Sequence, residues 1–332
     1  MRTPRNRPTR ATRRTTPAPE RASLYEEVTA RVIAELEEGR RPWIQPWDAA
    51  RAVGPALPRN AATGRCYSGV NVLILWAAVV RHGFPSQAWL TFRQALDLGG
   101  AVRKGERGTT VVYANRFAPQ GRDGEGGDDG GGEAAGIEAS LVGRAPKRPG
   151  AIPFLKRFTV FNAAQVDGLP PSRFPDPAPL SEPEAVPVAE ALIAASGVDF
   201  RVGGAQAFYN PVHDFVAVPP QPAFHHQINY YRTALHELTH ATGHPSRLDR
   251  DQRGWFGSRD YAREELVAEM GAAFLCASLG IVPTVRHADY IAGWLDLLRS
   301  DSRAIFRAAS AASKAADWLL ARHTAASESR AA

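Results

Sequence analysis

Tyr230-Tyr-Arg-Thr-Ala-Leu-His-Glu-Leu-Thr-His-Ala-Thr-Gly-His-Pro-Ser-Arg-Leu248 decides how the second half of this chain is read. Its apolar spacing predicts a long helix from Phe224 to Gly243, and His236-Glu-Leu-Thr-His240 inside it fits H-E-x-x-H. Side chains four residues apart share a helix face, so His236 and His240 can reach a single ion. Imidazole suits zinc, with manganese as the other candidate. Glu237 is then placed as general base, taking a proton from a bound water whose pKa the ion lowers toward ~7, so that hydroxide attacks a polarised carbonyl. The reading is a metal-dependent peptidase.

Such a site needs a third protein ligand and one open position. Extension to H-E-x-x-H-x-x-G-x-x-H fails, because Gly243 fits but Ser246 stands where a histidine is required. The next helix, expected from Tyr261 to Leu279, carries Arg263-Glu-Glu-Leu-Val-Ala-Glu269. Glu265 and Glu269 lie four apart on one face, so Glu265 is assigned as the metal ligand and Glu269 as the group that orients a ligand imidazole. Glu264 is the alternative ligand. Upstream, Phe208 to Val218 reads as an edge strand to which an extended peptide could add.

Working outward, 332 residues suggest two domains, each long enough to bury a core. No apolar run reaches the ~18 residues of a membrane span and no secretory signal is visible, so no membrane partner is expected and the cytoplasm is the expected location. Cys66 and Cys276 show no metal or disulfide spacing. A net charge of +6 and a pI near 9.6 suit a polyanionic partner without naming one. Residues 1–22 hold seven arginines among Pro and Thr and read as a disordered basic arm.

The first domain is placed at 23–170. It contains helices at Ser23–Glu38, from Asn71 and at Thr91–Leu98, strand character at Thr109–Tyr113 and Phe158–Phe161, and a flexible Gly/Asp-rich insert at 121–150. A Pro-rich linker is expected at 171–187 and a second domain at 188–325, where helices follow two short strands, Val198–Val202 and Phe215–Val218. The fold class is α+β: a mixed α/β domain followed by a mainly helical domain with a small sheet.

The quoted stretch and Tyr261-Ala-Arg-Glu-Glu-Leu-Val-Ala-Glu269 are joined in the first half by Pro42-Trp43, Pro46-Trp47, Thr63-Gly64-Arg65, Tyr67, Trp89, Gln94, Gly99-Gly100, Lys104-Gly105 and Phe161-Asn162. In these motifs the chain after the arm resembles the ArdC family of plasmid antirestriction proteins. The resemblance implies a single-stranded DNA-binding domain joined to a zincin-like metallopeptidase domain, in proteins that shield incoming DNA from restriction. The first domain also looks like one found in plasmid primases. The long arm and the insert depart from the family pattern.

The residues of the first half make physical sense for such a role, since aromatic faces stack on unpaired bases while cations follow the backbone. Trp43, Trp47, Tyr67 and Trp89 are the candidate platforms, and Arg65, Arg93, Arg103, Lys104 and Arg107 the candidate phosphate contacts. The partners expected are single-stranded DNA and a protein substrate of unknown identity. Two alternatives stay open: a DNA-binding protein whose metal is structural, and a metallopeptidase whose first domain recruits protein substrate.

Overall fold

The structure is a computed structural model that describes residues 23–43, 56–117, 152–169, 181–255, 257–282 and 291–331. The arm at 1–22, the insert at 121–150 and Trp47 lie outside the described residues.

Ser23 starts the first helix. Its hydroxyl accepts from the Glu26 N–H while the Glu26 carboxylate accepts from the Ser23 N–H, and α1 (Leu24–Glu37) follows with Val28, Val32 and Leu36 turned inward. Then come β1 (Arg59–Asn60), α2 (Val70–His82), β2 (Ala88–Leu90), α3 (Phe92–Asp97), β3 (Ala101–Val102), β4 (Thr109–Phe117), β5 (Ile152–Asn162) and β6 (Val166–Asp167). One sheet has the order β1-β2-β5-β4, and β3 pairs with β6 in a second. The strands expected at 109–113 and 158–161 are longer. β4 and β5 stay in antiparallel register from Thr109↔Val160 to Phe117↔Ile152.

The second half comprises α4 (Glu182–Ser196), β7 (Asp199–Val202), β8 (Phe208–Asn210), β9 (Phe215–Val218), α5 (Gln227–Ala241), α6 (Arg259–Leu279), α7 (Ile291–Ser300) and α8 (Ala304–Ala331). The linker expected at 171–187 is shorter than its proline content suggested, because residues 182–187 belong to α4. Ser181 and Glu184 form a capping box there, Pro183 sits in the first turn where its missing N–H has no helical partner, and Pro187 is carried inside the helix. α5 starts later than expected since a 3-10 turn at Gln221–Ala223 precedes it. In the sheet β9 is central, parallel to β7 and antiparallel to β8, so only the Phe208–Asn210 part of the expected edge segment is an edge.

The first domain buries two small clusters of its own, one of Leu75, Ala78, Val79, Trp89, Val111 and Val160 and one of Leu90, Ala95 and Val166, but its largest core is shared with the second. One apolar cluster runs from Val28, Trp43 and Trp76 through Leu192 and Leu235 to Phe274, Trp294 and Leu319. Trp43 meets Trp294 edge-on with centroids 5.1 Å apart, and Trp76 meets Phe274 at 5.7 Å. Such pairs add about 0.5–1.5 kcal/mol each beyond the area they bury. Among the described residues no helix is long and apolar enough to cross a membrane.

The approach of α5 to α6 positions the site. At Gly271 a Cβ would fall 2.4 Å from the Thr239 methyl group, so glycine is what lets the two helices come this near there. Thr239 turns its hydroxyl back to the Leu235 carbonyl at 2.8 Å and leaves the methyl for that contact.

Candidate metal centre

α5 presents His236 and His240 one turn apart, with ring centroids 4.9 Å from each other. α6 presents Glu264, Glu265 and Glu269, all buried. Glu265 lies on the inner side of both rings: one carboxylate oxygen is 3.5 Å from His236 Nε2 and the other 3.5 Å from His240 Nε2. Ligand atoms from these three residues lie within 4.8 Å of one another. The outer nitrogens face the remaining carboxylates, with His236 Nδ1 3.5 Å from Glu269 and His240 Nδ1 3.3 Å from Glu264. Glu265 therefore sits where a third ligand would sit, and Glu264 and Glu269 each stand behind a ring.

Each outer carboxylate is itself held by an arginine that the motif reading passed over. Arg232 donates to Glu269 at 2.7 Å in a pair buried on both sides. Arg250 donates to both oxygens of Glu264, at 2.7 and 3.2 Å, and to the Thr239 carbonyl and the Thr242 hydroxyl. Gln252 adds bonds to Glu264 and the His240 carbonyl. Gly243, expected as a helix terminator, is instead a clearance: a Cβ there would lie 2.6 Å from the Gln252 amide. Arg232 had a signal in the sequence, for it precedes His236 by four residues and so shares its helix face. Arg250 and Gln252 lie in a loop and had none.

These contacts set the local electrostatics. Burial opposes charge on His240, yet the carboxylates of Glu264 and Glu265 outweigh it and push its pKa up to about 10. Burial likewise opposes ionisation of Glu265, but the two imidazoles hold its carboxyl well below the usual range. Glu264 is lowered against its burial by His240 and Arg250.

Glu237 lines the same cavity, which measures about 440 Å³, and Phe208 and Tyr209 of β8 form part of its wall. The β8–β9 turn is clamped to the segment after α5: Arg247 pairs with Asp214, which also accepts from the Tyr209 hydroxyl at 2.9 Å and faces His244 Nδ1 at 3.6 Å. Arg247 keeps the Asp214 carboxyl below its ordinary value. Asp214 has φ of 52°, which Asn also tolerates, so Asp214→Asn removes charge without backbone strain. We expect it to cost about 1 kcal/mol at neutral pH. The folded-state pKa is depressed, so this stability is present above the unfolded value of about 4 and is lost as pH falls through the folded one. Urea titrations of variant and wild type should therefore converge in acid; a gap that stays constant would show that the ion pair contributes nothing.

The nucleic-acid candidates are scattered. Trp43 and Trp89 are 0% exposed, and a ring with no free face is no platform for a base, so both are corrected to core residues. Their partners explain the burial, Trp294 for Trp43 and Phe84 for Trp89. Tyr67 is partly buried, and that burial pushes its hydroxyl up to about 12. Arg65, Arg93, Arg103, Lys104 and Arg107 are exposed, although Arg103 is engaged by Glu106 and Asp167. Phe92, unnoticed in the sequence, is 54% exposed beside Arg93. Its signal was the capping box of Thr91 and Gln94, which makes Phe92 the first residue of a short exposed helix.

Comparison with known proteins gives a consistent result. Residues 22–161 match the family described as the N-terminal domain of anti-restriction factor ArdC, and residues 187–311 match one described as zincin-like metallopeptidase. The chain is 41% identical over 305 residues to the uncharacterized protein y4eC of Sinorhizobium fredii, covering 91% of this chain and 92% of that one. It is 39% identical over 304 residues to a DNA primase TraC of Escherichia coli, where 90% of this chain spans 27% of the primase. The crystal structure of the antirestriction protein ArdC from plasmid R388, metal-free, superposes with a TM-score of 0.71 at 39% identity, covering 92% of this chain and 99% of that one. Its Mn(II)-bound form gives 0.69 at the same identity, covering 91% and 98%.

Proposed function

We infer the function from one premise: this chain belongs to the ArdC family of antirestriction proteins, with an ArdC-type first domain and a zincin-like second domain. On that premise we propose that it binds single-stranded DNA and carries a divalent-metal-dependent peptidase site. The observation that carries the peptidase half is the convergence of two imidazole Nε2 atoms and one carboxylate beside Glu237 in a single cavity.

Two imidazoles and a carboxylate suit zinc or manganese, and a relative has been crystallised with Mn(II). A carboxylate behind each outer nitrogen favours the proton there and leaves Nε2 as the lone-pair donor. His236, His240 and Glu265 would hold the ion, which supplies Lewis acidity and lowers the pKa of water. Glu237 takes the proton from the attacking water and passes it to the leaving amine. Glu264 and Glu269 keep the rings from turning. β8 offers an open strand edge beside the cavity, where an extended polypeptide pairs as a further strand. Phe92, with Arg93, Lys104 and Arg107, supports the strand-binding half of the reading by exposing an aromatic face and cations on one domain.

Metal analysis of the purified protein beside His236→Ala tests the centre. About one equivalent is expected in the wild type, and the variant should lose affinity by more than the roughly 10- to 100-fold typical of losing a supporting group. A wild type that stays metal-free after loading with zinc or manganese would overturn the peptidase reading.

A further inference from the structure

A second cavity, of about 660 Å³, lies where α1 meets the start of α8 and the segment Leu248–Arg250. Arg250, Arg303, Arg307 and Lys314 line it, and among the described residues no carboxylate does. The four cations differ in what holds them. Arg250 is committed to Glu264 and its neighbours, and Arg307 pairs with Asp301. The Arg303 guanidinium lies over the Tyr25 ring at 4.9 Å, and Phe306 braces that ring edge-on at 4.7 Å. Among the described residues the Arg303 guanidinium N–H groups and the exposed Lys314 ammonium have no acceptor.

An arginine stacked by its face and free at its edge is organised in advance to grip a phosphate with two parallel bonds. Arg307 and Lys314 are two turns apart, about 10.5 Å along α8, so the cations form a track longer than a single anion needs. Arg303 and Lys314, which no carboxylate among the described residues opposes, with the paired Arg307 between them in sequence, are complementary to a short run of phosphates.

We propose that this cleft is a phosphodiester site that takes single-stranded nucleic acid onto the second half of the molecule, apart from the exposed cations around α3. The proposal rests on the strand-binding reading above, and its test separates the two. Labelled oligothymidylate is titrated against the full chain at several salt concentrations, for wild type and for Arg303→Gln with Lys314→Gln.

Each phosphate contact on a single strand contributes about 0.7 to the salt slope, so the double variant should flatten the slope by about 1.4 and bind on the order of 25-fold more weakly at ~0.1 M salt. An unchanged slope at an unchanged thermal midpoint overturns the cleft alone. A wild type that fails to bind the oligonucleotide overturns the cleft and the strand-binding reading together. If polyglutamate competes as well as the oligonucleotide, the cleft is assigned to an acidic protein and the proposal fails.

Discussion

Glu237→Gln is expected to abolish protection of unmodified DNA in a restricting host while the protein still binds its metal and its strand. The substitution keeps size and hydrogen-bonding capacity but removes the group that can take a proton. A positioned general base is worth roughly 10²–10⁴ in rate, or about 3–5 kcal/mol of barrier. Glu237 lines the cavity without belonging to the cluster of His236, His240 and Glu265, so metal content should not change. Three measurements decide the matter: metal content, salt-dependent strand binding and transformation efficiency with unmodified plasmid. Full protection by the variant would reduce the metal to a structural role and leave DNA coating as the mechanism.

Arg232→Ala is expected to cost about 3–5 kcal/mol of folding stability, the largest loss foreseen for a single change here. Its partner Glu269 is 2% exposed and would be left as a buried charge without a counterion. Against a typical total of about 5–15 kcal/mol, the loss is a substantial fraction. It should also weaken metal binding, because Glu269 faces His236 Nδ1 and a carboxylate released from Arg232 no longer fixes that ring. Chelator competition and urea denaturation read the two effects separately. The double change Arg232→Met with Glu269→Gln should restore much of the stability but not the metal affinity, since it removes the charge pair as a unit. If Arg232→Ala is as stable as wild type, Arg232 has no structural part in the site.

What could be read in advance follows from how local each constraint is. His236, Glu237 and His240 occupy five consecutive residues, and helical spacing alone brings the two rings to one face. Ser23 and Thr91 announce their helices by capping chemistry that acts over three residues. The division of labour among Glu264, Glu265 and Glu269 was harder to read. It depends on how α6 packs against α5, and the two meet with Gly271 against Thr239. Trp43 and Trp89 looked like stacking platforms because nothing near them in the sequence names Trp294 or Phe84 as their cover. Pro187 misled for the opposite reason: a local rule about proline yields to the packing of Ala185, Ala189 and Leu192 on the core that the two halves share.

The seam between the two halves, where Trp43 meets Trp294 and Trp76 meets Phe274, bears on how such proteins diversify. A recombination event that swapped one half for a distant counterpart would bring together aromatic surfaces that never evolved to interlock. A protease nick between the halves, for its part, would leave the pieces clasped. The two halves are therefore expected to be inherited as a single particle rather than traded as cassettes.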